Sequence, residues 1–254
     1  MFMVCFPRAD VLRNIAESVR DLVSDVVIEI TADGLYLMAM DASAVAVAEL
    51  RLPRSGFVDF QLDGSECERV GLSLTALSLI VKCFDGASML ELRSGFLADA
   101  KLHVTDRKAI TFVLNTMDIA HDKMEVPAFF PAVRATLKSD LLKRLMVDVG
   151  VFGTRCALTC SCGVLKISFD GGDHGTAIVV VNGLEGCEDV HTDSELNGAT
   201  TLSLRYMRMF TKGGSLGKRV VIDLTSDKPV RVSYAIDAFS GGSLVYYLAP
   251  QAAD

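Results

Sequence analysis

The chain has 254 residues and 27.4 kDa, half of them hydrophobic, with a mean hydropathy of +0.37; it is too long for a lone small module and apolar enough to bury a large core. Its most apolar uncharged run, the 12 residues between Arg69 and Lys82, falls short of the roughly 20 that span a bilayer. A formal charge of −7 and a pI near 5.1 exclude a bulk-basic nucleic-acid binder, so any contact with nucleic acid must come from a local basic face.

The N-terminal MFMVCFPRAD meets charge already at Arg8 and Asp10, which does not suit a secretory leader. A location inside the cell is expected, with no membrane segment. Seven cysteines, an odd number, then read as free thiols. A helix over 10–22 opens at the capping residue Asp10. The alternating segments VVIEIT (26–31), LYLMAM (35–40) and FVDFQL (57–62) read as strands separated by turn signals. Ser73 opens a second helix over 73–83, and MLELR (89–93), KLHV (101–104) and AITFVL (109–114) are further strands. The segment 118–131, with two prolines and mixed charge, reads as a linker. Beyond it, helices over 139–149 and 204–212 open at Asp140 and Ser203.

Sliding the chain against itself by 130 residues exposes a repeat. Asp10, Leu12, Arg13, Ile15 and Val19 fall on Asp140, Leu142, Lys143, Leu145 and Val149. Leu72, Ser73, Leu74 and Lys82 fall on Leu202, Ser203, Leu204 and Lys212, and Leu35, Leu37 and Ala39 on Leu165, Ile167 and Phe169. The period is far too long for a solenoid, so the chain reads as two copies of one α+β domain, residues 1–117 and 132–254, each mostly sheet with two helices.

The chemistry concentrates on those helices. Arg205, Arg208 and Lys212 stand at i, i+3 and i+7, opposite Tyr206, Met207 and Phe210. The four helical segments carry −1, +1, 0 and +3, leaving −10 for the rest. Two readings stand: a solvated helix surface, or, if the helices share one surface, a basic track of Arg13, Arg20, Lys82, Lys143, Arg144, Arg205, Arg208 and Lys212 suited to phosphates without base readout. Glu17 and Asp148 weaken such a track. Cys156, Cys160 and Cys162 occupy even positions of one strand with Leu158 and lack the second ligand pair a zinc site needs. DGGDHG (170–175) reads as a strand-to-strand loop. No phosphate loop, nucleophile elbow or metal-ligand spacing is found, so neither a cofactor nor a catalytic set is expected.

The motifs MDASAV (40–45), LTALSLIVKC (74–83), LRYMRMFTK (204–212), PVRVSYAI (229–236) and LVYYLAP (244–250) resemble those of the eukaryotic-type DNA sliding clamps, the proliferating cell nuclear antigen family, in order and spacing along the whole length. The resemblance implies a non-enzymatic homotrimeric ring threaded on double-stranded DNA, in the nucleus, serving as a processivity factor for DNA polymerase in replication and as a platform for repair proteins. It implies DNA contacts at Arg13, Arg20, Lys82, Lys108, Arg144 and Lys212, with Leu79 and Val147 at two positions that are basic in the family. It also implies a pocket for the aromatic-tipped peptides of polymerase, clamp loader and other partners, built from Met40, Ala44, Val45, Val47, Met124, Val126, Pro127, Leu248, Ala249 and Pro250. Met124 and Val126 could instead serve only to pin the linker. Ala44 replaces a usual histidine, and Cys162 falls where the family carries a regulatory lysine, with Lys166 nearby. A subunit of a heterotrimeric checkpoint clamp and, from another class, a DNA-modifying enzyme are the alternatives.

Overall fold

Both halves run through the same succession of elements. The first contains β1 (Phe2–Phe6), α1 (Ala9–Val19), β2 (Asp25–Thr31), β3 (Gly34–Met40), β4 (Ala46–Pro53), β5 (Asp59–Leu62), β6 (Cys67–Ser73), α2 (Leu74–Val81), β7 (Leu90–Ser94), β8 (Lys101–Thr105) and β9 (Thr111–Asn115). The second contains β10 (Val133–Lys138), α3 (Ser139–Val147), β11 (Arg155–Ser161), β12 (Val164–Asp170), β13 (Thr176–Val180), β14 (Cys187–Thr192), β15 (Thr200–Ser203), α4 (Leu204–Phe210), β16 (Arg219–Leu224), β17 (Val230–Ala235) and β18 (Ser243–Leu248). The structure, a computed structural model, describes residues 1–63, 67–94, 101–106, 110–120, 124, 129–194, 196, 198–226 and 228–251.

The chain divides into two units, Met1–Ala42 with Ala48–Glu125 and Ala235–Leu244, and Ser43–Val47 with Val126–Tyr234 and Val245–Asp254. In the first unit the strands run in the orders β5-β1-β7-β8-β9 and β4-β3-β2-β6. The second repeats this layout as β14-β10-β16-β17-β18 and β13-β12-β11-β15, so the fold is the expected duplicated α+β domain of mostly antiparallel sheet.

Within each unit the helices lie over the sheets because their apolar stripe demands it. Val11, Leu12, Ile15, Ala16 and Val19 of α1 are buried, as are Leu142, Leu145 and Met146 of α3 and Leu204, Met207 and Phe210 of α4. In the first unit Phe6, Phe57, Phe60 and Phe239 form an aromatic cluster with centroids 4.8 to 6.0 Å apart. Gly56 is required beside it, since a Cβ there would lie 2.2 Å from the Phe239 ring. In the second unit Phe210 stacks on Tyr246 at 4.4 Å, and Tyr234 meets Tyr246 edge-on. The buried Tyr234 hydroxyl has no hydrogen-bond partner among the described residues, and desolvation raises its pKa well above the ordinary phenol value.

Two expectations need correction. Of the four capping residues, only Ser73 caps with its side chain, accepting from the Ala76 N–H at 3.4 Å. Ser203 occupies its N-cap without such a bond, while α1 and α3 start earlier, capped at Arg8 and Lys138. There Asp10 pairs with Arg8, and Ser139 donates to the Gly217 carbonyl at 2.6 Å. The cysteine triplet does not share one strand face either. Cys156 and Cys160 are buried in β11, but the strand ends at Ser161, and Cys162 sits exposed in the turn to β12. Burial pushes the Cys156 thiol up to about 12, keeping it protonated and a poor metal ligand. DGGDHG forms the β12–β13 loop, as expected.

Candidate nucleic-acid interface

Each unit carries a helix pair, α1 with α2 and α3 with α4, and the positions that the apolar stripes leave uncovered hold the cations. On α1 the half-buried residues are Asp10, Arg13, Asn14 and Glu17, with Arg20 at the C-cap; on α2 and just beyond it Thr75, Leu79, Lys82 and Cys83 are exposed. On α3 the exposed run is Lys143, Arg144, Val147 and Asp148. Arg205 and Arg208 are exposed on α4 and Lys212 on the 3-10 turn Thr211–Ser215, since α4 stops at Phe210. Lys108 lies outside the described residues. Leu79 is 60% exposed and Val147 43%, so two apolar side chains face solvent on these helices.

The cations are not equivalent. Arg13 extends from α1 to the end of α2, its Nη2 donating to the Phe84 carbonyl at 3.1 Å while its Nε is buried without a partner among the described residues. Arg20 donates from Nη1 to Ser78 Oγ at 3.2 Å and lies 3.6 Å from Asp21. Lys82 is paired with Glu17 at 2.8 Å. In the second unit Arg208 extends from α4 to the C-terminal end of α3, donating to the Met146 carbonyl at 3.0 Å and the Gly150 carbonyl at 2.9 Å. A guanidinium there satisfies carbonyls that a helix end leaves unpaired and meets the negative end of its dipole. Arg208 is therefore tied to the end of α3 and does not align with Arg205 and Lys212 as one basic face. Lys143 and Arg144 have no ionic partner among the described residues, and Arg205 lies against the Tyr206 ring at 5.9 Å.

The 130-residue offset reveals how the two pairs are tied. Arg20 corresponds to Gly150 and Ser78 to Arg208. In the first unit an arginine at the end of the first helix reaches a serine on the second; in the second unit the arginine stands at the serine's position and reaches back to the glycine at the arginine's position. Space agrees, because a Cβ on Gly150 would stand 3.2 Å from Leu204 Cδ2 and 3.6 Å from Arg208 Nη2. Charge alone does not distinguish these arginines, whereas their positions at ±130 are readable in the sequence.

The residues of the expected peptide pocket divide between the units. Met40, at the end of β3 and 44% exposed, and Met124 belong to the first. In the second, the Ala249 N–H donates to the Val45 carbonyl at 2.9 Å and the Gln251 N–H to Thr201 at 2.8 Å, which fixes the chain end beside Ala44, Val45 and Val47. Ala44 adopts φ +54°, a left-handed conformation unusual for alanine. Pro250 is exposed and Ala249 half-buried, but Leu248 is fully buried, so it supports this surface from beneath and does not line it. Val126 and Pro127 lie outside the described residues. Phe129, in the linker, stacks on Arg231 at 4.8 Å, and Arg231 and Arg134 both bind the buried Asp223 carboxylate.

Two tandem copies of an α+β domain, each with two helices bearing cations, define a DNA sliding clamp. The model of the proliferating cell nuclear antigen N-terminal domain matches residues 1–124, and that of its C-terminal domain matches residues 132–251. The chain belongs to the proliferating cell nuclear antigen family, whose members are non-catalytic DNA clamps. Among solved structures it is similar to the crystal structure of proliferating cellular nuclear antigen from Entamoeba histolytica, with a TM-score of 0.87 at 21% identity over 99% of each chain. A likeness at that identity is one of fold.

Proposed function

We propose that this chain is a processivity factor: a homotrimeric ring that encircles double-stranded DNA in the nucleus, holds it through phosphates without reading sequence, and tethers DNA polymerase and repair proteins by their aromatic-tipped peptides. The observation that carries the reading is the tandem of N- and C-terminal clamp domains over residues 1–124 and 132–251, on a chain whose cations gather on its helices. Phosphate contacts position a protein on duplex without specifying sequence, which is what a sliding tether requires. The apolar surface at Val45, Val47, Ala249 and Pro250 of the second unit is the proposed peptide dock.

The test is primer extension on a singly primed circular template, with polymerase and clamp loader from the same source. Adding the chain should lengthen the products of a single binding event, and linearising the template should abolish the gain because a ring slides off free ends. Unchanged product length on the circle overturns the reading. Native mass spectrometry accompanies it: a species near three times 27.4 kDa fits the homotrimer, whereas a chain that stays monomeric until mixed with different clamp subunits points to the heterotrimeric checkpoint clamp.

A further inference from the structure

The two helix pairs of the repeat have diverged in the state of their cations. On α1, α2 and their C-terminal ends the cations are committed within the chain: Arg13 to the Phe84 carbonyl, Arg20 to Ser78 and Asp21, and Lys82 to Glu17. Carboxylates also accompany them, since α1 and its C-terminal turn carry Asp10, Glu17 and Asp21 against Arg13 and Arg20. A phosphate approaching Lys82 must displace Glu17 and then face its charge. In the second unit Asp140 and Asp148 stand on α3, yet neither forms an ion pair with Lys143 or Arg144 among the described residues, and residues 204–212 contain no acid at all. The segments 10–22 and 73–83 cancel to zero, whereas 139–149 and 204–212 retain +3.

We propose that, of the two helix pairs, α3–α4 alone carries the grip on duplex DNA, through Lys143, Arg144 and Arg205, while the α1–α2 pair is a self-neutralised face over which phosphates pass without ionic contact. This rests on the clamp reading above and adds which helix pair of each subunit holds the ligand. Arg208 acts as a positioning residue, tying α4 to the end of α3 that carries Lys143 and Arg144. Each phosphate neutralised contributes about −0.9 to the slope of log K against log salt concentration on B-form DNA, so the two faces can be counted separately.

The experiment measures association of the intact protein with a mixed-sequence duplex across a salt series. The triple variant K143Q/R144Q/R205Q should flatten the slope by up to about 0.9 for each cation removed, while K82Q should leave it at the wild-type value. E17Q, which releases Lys82, should steepen it. The charge-conserving variant K143R/R144K/R205K should keep the wild-type slope; if it flattens as the glutamine triple does, the loss is not one of charge and the proposal fails. Equal flattening by K82Q and by single changes in the second unit also overturns it. If the wild-type protein shows no salt-dependent association with duplex, the clamp reading itself falls, an outcome distinct from a wild-type slope shared evenly between the units.

Discussion

Cys162 and Gly163 form the two-residue turn between the paired Ser161 and Val164, with φ of +50° and +75°. A hairpin of this kind favours Asn-Gly, because both central residues must adopt positive φ and an asparagine side chain tolerates the left-handed region. Cysteine gains no such local compensation. Cys162→Asn should therefore raise stability by several tenths to about 1 kcal/mol, within the cost of left-handed backbone for ordinary residues, and a thermal midpoint that stays level or drops sinks the argument. Single residues also mark the limit of charge-based reading. Arg13, Arg20 and Arg208 look alike in sequence to Lys143 and Arg144, because an arginine that caps a neighbouring helix and one that faces solvent leave the same mark on a helical wheel. Only the position of the partner carbonyl or hydroxyl separates them, and that is a tertiary fact.

At the scale of elements, the exchange of Arg20 and Ser78 for Gly150 and Arg208 is a claim of interchangeability that can be tested directly. Arg208→Ser removes two hydrogen bonds from a charged donor and should cost about 1–2 kcal/mol, at the lower end for charged bonds because the side chain is partly solvated. Gly150→Arg alone crowds Leu204 and brings a second guanidinium against Arg208, and should also destabilise. The double variant G150R/R208S rebuilds the first unit's arrangement and should return to within about 0.5 kcal/mol of the wild type, whereas independent sites would simply add. Chemical denaturation of the four proteins decides it, and additive losses would show that the two ties are unrelated. The same scale shows why part of the fold was legible. The strands β2, β3, β7 and β8 and all four helices announce themselves by period, and the 130-residue offset by itself yields the duplication. The strands β1 and β4 are illegible in the sequence for a common reason. Phe2, Val4, Cys5 and Phe6 of β1 are buried on both faces between β5 and β7, and Ala46, Ala48, Glu49 and Leu50 of β4 are likewise buried, so neither shows the alternation that marks a half-exposed strand.

At the scale of the whole molecule, the repeat predicts how copies join. β9 is the last strand of its five-strand order and β13 the first of its four-strand order, and by the 130-residue offset they are the counterparts of β18 and β4. The segment leaving β18 hydrogen-bonds to the segment entering β4 through Ala249 and Val45, and the repeat therefore predicts that the same surfaces in β9 and β13 meet, but in different copies of the chain. Their composition agrees. Ile110 and Val113 at β9 and Ile178 and Val180 at β13 are exposed, Ile178 by 66%, and an exposed apolar edge is a template for pairing with another chain. A contact between one surface of a copy and a different surface of the next is head-to-tail, and it produces a closed ring when its rotation closes. Val179→Pro, opposite Ile167 in the β12–β13 register, places a residue that cannot donate to a ladder in the edge strand, and Ile178→Glu charges the edge while leaving the backbone intact. Both variants should sediment as monomers with wild-type secondary structure, and both should lose retention on circular DNA while keeping weak, salt-dependent association with short duplex. Persistence of the trimer in Ile178→Glu and Val179→Pro alike would place the subunit contact elsewhere, and retention on circles by a monomer would remove the ring from the explanation altogether.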